Sequence, residues 1–342
     1  MKTFTAPILA AAGWLAIAPA APRWETQTSG VSARLRGVSA VSEKVAWASG
    51  ASGTVLRTAD GGTSWTKLTV PDAASLDFRD VDAIDAATAY LLSIGSGAAS
   101  RIYKTTNAGA TWTLQFTNQE AKGFFDAMAF WDDRRGLVMG DSIDGRFDIL
   151  QTTDGGRTWA RIAAQALPPA LANEGAFAGS GTNVAVLPGG LAWIGTGAAQ
   201  RCRVLRTRDY GATWTIVDVP VAGSPSAGIF SIAFRDPRRG MTAGGDYRKE
   251  GEAVNNAAFT ADGGVTWKPV TGLNGFRSAV APLPGSTASW VAVGPQGADI
   301  SADDGRTWTP IEGGGYHALA FARAGRAGWG VGEQGRIGKL RF

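Results

Sequence analysis

The sequence predicts an all-β chain: a seven-bladed β-propeller of four-stranded antiparallel blades, the last blade closed by the N-terminal strand. Three observations predict it. An octet, Thr58-Ala59-Asp60-Gly61-Gly62-Thr63-Ser64-Trp65, recurs at Thr105 to Trp112, Thr152 to Trp159, Thr207 to Trp214, Thr260 to Trp267 and Ser301 to Trp308, with successive Trp residues 47, 47, 55, 53 and 41 positions apart. A period of this size is one blade, a unit that cannot bury its faces alone and must stack on its neighbours. Between octets, the chain reads as short strands separated by turn residues. Finally, three strand segments follow the last octet and one precedes the first.

Taken in order, Lys2 precedes an apolar, alanine-rich stretch from Ile8 to Ala18, and Ala18-Pro19-Ala20 is a small-x-small cleavage pattern. Residues 1–20 therefore read as a secretory signal peptide, which places the mature chain, 21–342, in the periplasm or outside the cell. No later segment reaches the roughly 18 uninterrupted apolar residues that a membrane span requires. Cys202 is the only cysteine, so no intrachain disulfide is expected. The net charge of +4 is spread without long basic runs, which argues against nucleic acid. A monomer is the expected state.

In the second unit, Phe78 to Ile84 alternates with period two, Thr88 to Ile94 is an apolar run, Arg101 to Thr106 leads into the octet and Thr111 to Thr117 leaves it. The third unit repeats this with Phe125 to Phe130, Gly136 to Gly140, Phe147 to Thr153 and Thr158 to Ala163. At the C-terminus, Tyr316 to Ala322, Ala327 to Gly332 and Arg336 to Phe342 lack a fourth strand. Arg23-Trp24-Glu25-Thr26-Gln27 supplies it, because it resembles the segment after each octet and its addition leaves no unpaired edge.

The octet itself reads as the turn between a blade's third and fourth strands. Its acid (Asp60, Asp154, Asp209, Asp262 and Asp303, with Asn107 in the second copy) accepts backbone N–H bonds within the turn, and the glycine after it tolerates positive φ. Its Trp (Trp65, Trp112, Trp159, Trp214, Trp267 and Trp308) offers an apolar face to the layer between blades. These residues are structural; copies spread around a rim do not converge into a catalytic or metal site.

Together with an apolar-Gly-x-x-Gly strand turn such as Trp329 to Ile337, these Asp-box (BNR) repeats resemble the photosystem II stability and assembly factor family of plants and cyanobacteria. The resemblance covers nearly all of the mature chain. It implies a seven-bladed propeller and a protein-binding role. Relatives are expected in bacteria that do not photosynthesise, so the photosystem itself does not transfer with the fold.

Any site is expected on the face opposite the octets, where the inner strands start and the second strands turn into the third. The inner-strand starts contribute Arg36, Arg79, Asp126, Phe230, Arg277 and His317, with Glu174 either at the fourth start or in the loop before it; the turns contribute Asp141, Asp144, Asp246, Tyr247, Gln296 and Glu333. Clustered arginines suit a carboxylate or an acidic peptide, since each guanidinium binds bidentately. The first functional reading is thus an exported assembly-factor type propeller that docks a partner protein or acidic ligand. The alternative is a sialidase-like glycoside hydrolase acting on an acidic sugar, with paired acids for the chemistry. Phe78-Arg79 and Phe276-Arg277 match only the first two places of the sialidase Phe/Tyr-Arg-Ile-Pro motif. His317 is the only histidine, so with one cysteine no zinc site is expected, and neither is a cofactor.

Overall fold

The computed structural model describes residues 21–323 and 325–342; the signal-peptide reading of 1–20 lies outside them. The described residues form seven four-stranded antiparallel sheets, each built from consecutive strands except the last. Blade 1 comprises Leu35–Ala40, Ala46–Gly50, Thr54–Thr58 and Thr66–Leu68, and blade 2 comprises Asp77–Ala83, Ala89–Ile94, Arg101–Thr105 and Thr113–Thr117. Blade 3 starts at Phe125–Phe130, blade 4 at Val184–Leu187, blade 5 at Ala227–Phe234 and blade 6 at Ala279–Pro282. Blade 7 joins Ala318–Phe321, Gly328–Val331 and Ile337–Arg341 to Arg23–Gln27. Trp24 opposes Leu340 and Gln27 opposes Ile337, so the two ends of the chain lock one blade. The innermost strands touch in sequence order, and the first touches the last, closing the ring.

Each octet folds on itself. In blade 3, Thr152 Oγ1 accepts from Gly156 N at 2.9 Å, while Asp154 accepts from Thr158 N at 2.9 Å and Thr158 Oγ1 at 2.7 Å. Gly155 N then donates to Arg134 O, in the turn between that blade's first and second strands, which places both turns on one face. Gly155 and Gly156 adopt φ of +74° and +82°, where a Cβ is strained. These bonds hold the acid ionised: Thr158 keeps Asp154 down to about 2, and Ser64 does the same for Asp60.

Between blades the core is aromatic. Tyr90 of blade 2 stacks on Phe130 of blade 3 at 3.9 Å, and the octet residue Trp159 meets Phe130 edge-on at 5.9 Å. Trp193, Phe234 and Trp267 repeat this arrangement between blades 4 and 5. A cation on the third strand reaches across as well: Lys104 Nζ donates to Gly155 O at 2.8 Å and Lys339 Nζ to Gly61 O at 2.9 Å.

The inner edge of each blade exposes backbone groups to the channel, and those groups need partners. Side chains of the preceding blade supply them. Ser39 Oγ accepts from Ala83 N at 3.1 Å, Asp80 Oδ2 from Met128 N at 2.8 Å, Asp82 Oδ2 from Phe130 N at 2.9 Å and Ser231 Oγ from Val280 N at 3.0 Å.

Candidate functional site

On the face opposite the octets, the inner-strand starts and the second-to-third-strand turns surround a cavity of about 640 Å³. Arg36, Arg79, Asp126, Asp141, Tyr247, His317 and Glu333 all line it, together with Glu250 and the rings of Phe177, Phe230 and Phe276.

Its basic side is held by blades 1, 2 and 7. Arg79 Nε donates to Asp77 at 2.8 Å and its Nη1 to Ala178 O at 2.8 Å. Arg36 makes no ion pair among the described residues; its Nη1 reaches Gly179 O at 3.3 Å and its Nε has no partner. Burial, reinforced by the Arg79 and Arg34 charges, lowers Arg36 to about 10, so it remains a cation at neutral pH. Beside it His317, 4% exposed, is lowered to about 4 by burial and by the Arg36 charge. Neutral His317 bonds Glu333 Oε1 through Nε2 at 2.7 Å, and its Nδ1 has no partner.

The other side is acidic and aromatic. Asp126 is 1% exposed, with one carboxyl oxygen unpartnered. Burial, and then the neighbouring Asp141, hold it well above the ordinary carboxylate range; burial also raises Asp141. Phe177 stacks on Phe230 at 4.1 Å, Tyr247 meets both rings edge-on at 6.1 Å, and Phe276 meets Phe230 at 4.6 Å. Tyr247 is 41% exposed and keeps an apolar surface at the rim.

Five sequence-predicted residues are placed elsewhere. Glu174 turns away from the channel into a buried ion pair with Arg203 and also accepts from Thr196 Oγ1 at 2.7 Å. Arg277 forms the corresponding buried pair in blade 6, with Nε 2.7 Å from Asp299. In both cases a carboxylate and a guanidinium within one blade satisfy each other where water is excluded, leaving no charge for the channel. Asp246 caps its own turn by accepting from Arg248 N at 2.9 Å. Among the flanking candidates, Asp144 pairs with Lys122 on the surface at 3.0 Å, and Gln296 Nε2 donates to Glu250 at 3.2 Å.

Sequence reasoning missed the segment that shapes the cavity. Instead of extending blade 4's inner strand, residues 175–182 cross the channel. Arg36 and Arg79 hold two of its carbonyls, Ser180 Oγ bonds Ser278 O of blade 6 at 2.7 Å, and Thr182 Oγ1 bonds Ser231 Oγ at 2.8 Å. The available signal was composition: Gly175, Gly179 and Gly181 interrupt the expected strand, and Gly181 (φ +71°) lies where a Cβ would strike Asp80.

No family model matches the chain, and no curated protein matches it. Among solved structures it is similar to YCF48 bound to D1 peptide, with 17% identity, a TM-score of 0.66, and 93% of this chain and 97% of that one covered. YCF48 from Cyanidioschyzon merolae gives 17% identity and 0.67 over 93% and 99%. The GH74 xyloglucanase from Xanthomonas campestris gives 17% and 0.62 over 93% of this chain and 53% of that one. At these identities the likeness establishes one thing, that the chain is a seven-bladed propeller with the architecture of YCF48.

Proposed function

We propose that this chain is an exported binding propeller that docks an acidic segment of a partner protein into the cavity of its channel face. The observation that carries the reading is Arg36 beside Arg79: two cationic guanidiniums in one cavity, one of them without a carboxylate partner among the described residues. A partly buried guanidinium of this kind binds a carboxylate by charge-assisted hydrogen bonds, and the neighbouring aromatic rings bury the apolar part of the same segment. The similarity to a propeller whose solved structure holds a peptide supports the reading at the level of fold. The Asp-box signature and the non-photosynthetic bacterial assignment belong to the same proposal. So does export, which rests on the pattern from Lys2 to Ala20.

The test is a crosslinking pull-down from the exported fraction with the mature chain and its Arg36→Ala/Arg79→Ala variant at matched thermal stability. A captured protein that binds roughly tenfold or more weaker to the variant supports the reading, as expected for lost hydrogen bonds to a charged group. Equal capture by both proteins overturns it.

A second reading, hydrolysis of an acidic glycoside, draws on the two carboxyls, Asp126 and Asp141, that share the cavity with these arginines. Turnover of a chromogenic uronide or sialoside that disappears in Asp126→Asn would replace the first reading.

A further inference from the structure

Five acids are buried among the described residues, and four have their charge or hydrogen bonding answered by the protein. Glu174 pairs with Arg203, Asp299 with Arg277 and Asp148 with Arg161, while Asp80 accepts from Met128 N. Asp126 is the exception. The Ala178 N–H approaches its carboxyl, no cation pairs with it, and one oxygen has no partner although the residue lines the cavity. Asp141 lines the same cavity, accepts only from Ala176 N at 3.2 Å and likewise has no cation. A buried carboxyl beside a second, partly buried one, both lining a cavity without a counter-charge, is costly when ionised, and that cost falls when a ligand brings the cation.

The basic side does not supply this cation. Among the described residues neither Arg36 nor Arg79 pairs with Asp126 or Asp141: Arg79 pairs with Asp77 and holds Ala178 O, and Arg36 holds Gly179 O. The cavity therefore has a basic and an acidic side with Ala178 between them, its N–H toward Asp126 and its carbonyl toward Arg79. Among the described residues no group of three or more His, Cys, Asp or Glu is placed to hold a metal ion. Two carboxyls suit a cation that brings its own hydrogen-bond donors, and the Phe177 ring lines the same cavity as an aromatic surface.

We propose that Asp126 and Asp141 seat a cationic group of the ligand, a primary ammonium or a guanidinium, so that the bound segment carries a base as well as the acid held by Arg36 and Arg79. This rests on the reading of the cavity as a partner-binding site, and it narrows the partner to a segment of mixed charge.

Three fluorescein-labelled octapeptides test it: one with Glu and Lys separated by glycines, one with Lys replaced by Gln, and one with Glu replaced by Gln. They are titrated against the wild type, Asp126→Asn/Asp141→Asn, each single Asn variant, and Arg36→Ala/Arg79→Ala, all checked for unfolding midpoint. The mixed peptide is expected to bind the wild type about tenfold tighter than the Glu-only peptide, a difference that disappears in the Asn variants. Equal affinity of these two peptides, or an advantage that persists in the Asn variants, overturns the inference and leaves the acidic-ligand reading standing. If no peptide binds, that reading has failed, and butylammonium decides the acid pair alone. A midpoint raised above that in equal sodium chloride, in the wild type and not in the Asn variants, supports the seat; an equal response in all of them overturns it.

Discussion

Two kinds of arginine occur in this molecule, and their environments assign them different work. Arg203, with a side chain 8% exposed, neutralises a fully buried Glu174, whereas Arg79, with a side chain 16% exposed, points into a cavity open to solvent. Removing one partner of a buried pair strands the other charge, a loss of about 3–5 kcal/mol. Arg203→Ala is therefore expected to cost about that much in a urea titration, while Arg79→Ala stays within about 1 kcal/mol, as a partly exposed pair allows. Comparable losses for both would mean that Arg79 is a structural residue, and the binding site would lose one of its anchors.

The octet turn is the element that repeats most closely, and its buried hydroxyl matters more than its exposed acid. Thr152 is 1% exposed, and its Oγ1 accepts from Gly156 N and donates to Asp154. Thr152→Val keeps the shape and leaves that N–H unsatisfied, which is expected to cost about 1–3 kcal/mol by chemical denaturation. Thr152→Ser is expected to cost less than about 1 kcal/mol, because Ser301 makes the same bonds in the sixth octet, accepting from Gly305 N at 2.9 Å. The turn's local character is also why it was legible: the bonds made by its hydroxyl and by its acid all stay inside the octet. The crossing segment 175–182 is the opposite case. Its partners, Arg36, Arg79, Ser231 and Ser278, lie in four different blades, and no local pattern announces them.

For the molecule as a whole, ring closure and proton balance carry the predictions. Trp24 packs on Tyr316 at 4.4 Å, and Gln27 accepts from the indoles of Trp65 and Trp329 at 3.1 and 3.2 Å, tying blade 7 to blade 1. A chain beginning at Thr28 loses this clasp and bares the edge of Ile337–Arg341. It is expected to melt at lower temperature and to associate as concentration rises, read by light scattering. Proton balance has two limbs. Asp60 and Asp154, held near about 2, contribute stability that is present above about pH 4 and lost as the pH falls through the folded value. Asp80 and Asp126, raised by burial, bind protons more tightly in the folded chain, so stability falls as pH climbs above about 4 toward their folded values. Melting midpoints across pH should pass through an acidic maximum, and Asp80→Asn/Asp126→Asn should flatten only the upper limb. A profile unchanged in that variant would mean that neither carboxyl holds its proton.

By itself the sequence determined the number of blades, the strand order, the closing strand and the face on which a site could form. Those follow from short-range bonds and from a period that each unit repeats, which six octets and the segment Arg23–Gln27 display directly. It also named Arg36, Arg79, Asp126, Asp141, Tyr247, His317 and Glu333, since the inner-strand starts and the second-to-third-strand turns fall on one face. Only the tertiary structure decided that Glu174 and Arg277 are spent on Arg203 and Asp299, and that Phe177 forms part of the cavity wall. The physical reason is that a charge inside a low-dielectric ring goes to whichever partner lies within hydrogen-bond reach, and reach between a strand start and the third strand of the same blade is set by packing rather than by spacing along the chain.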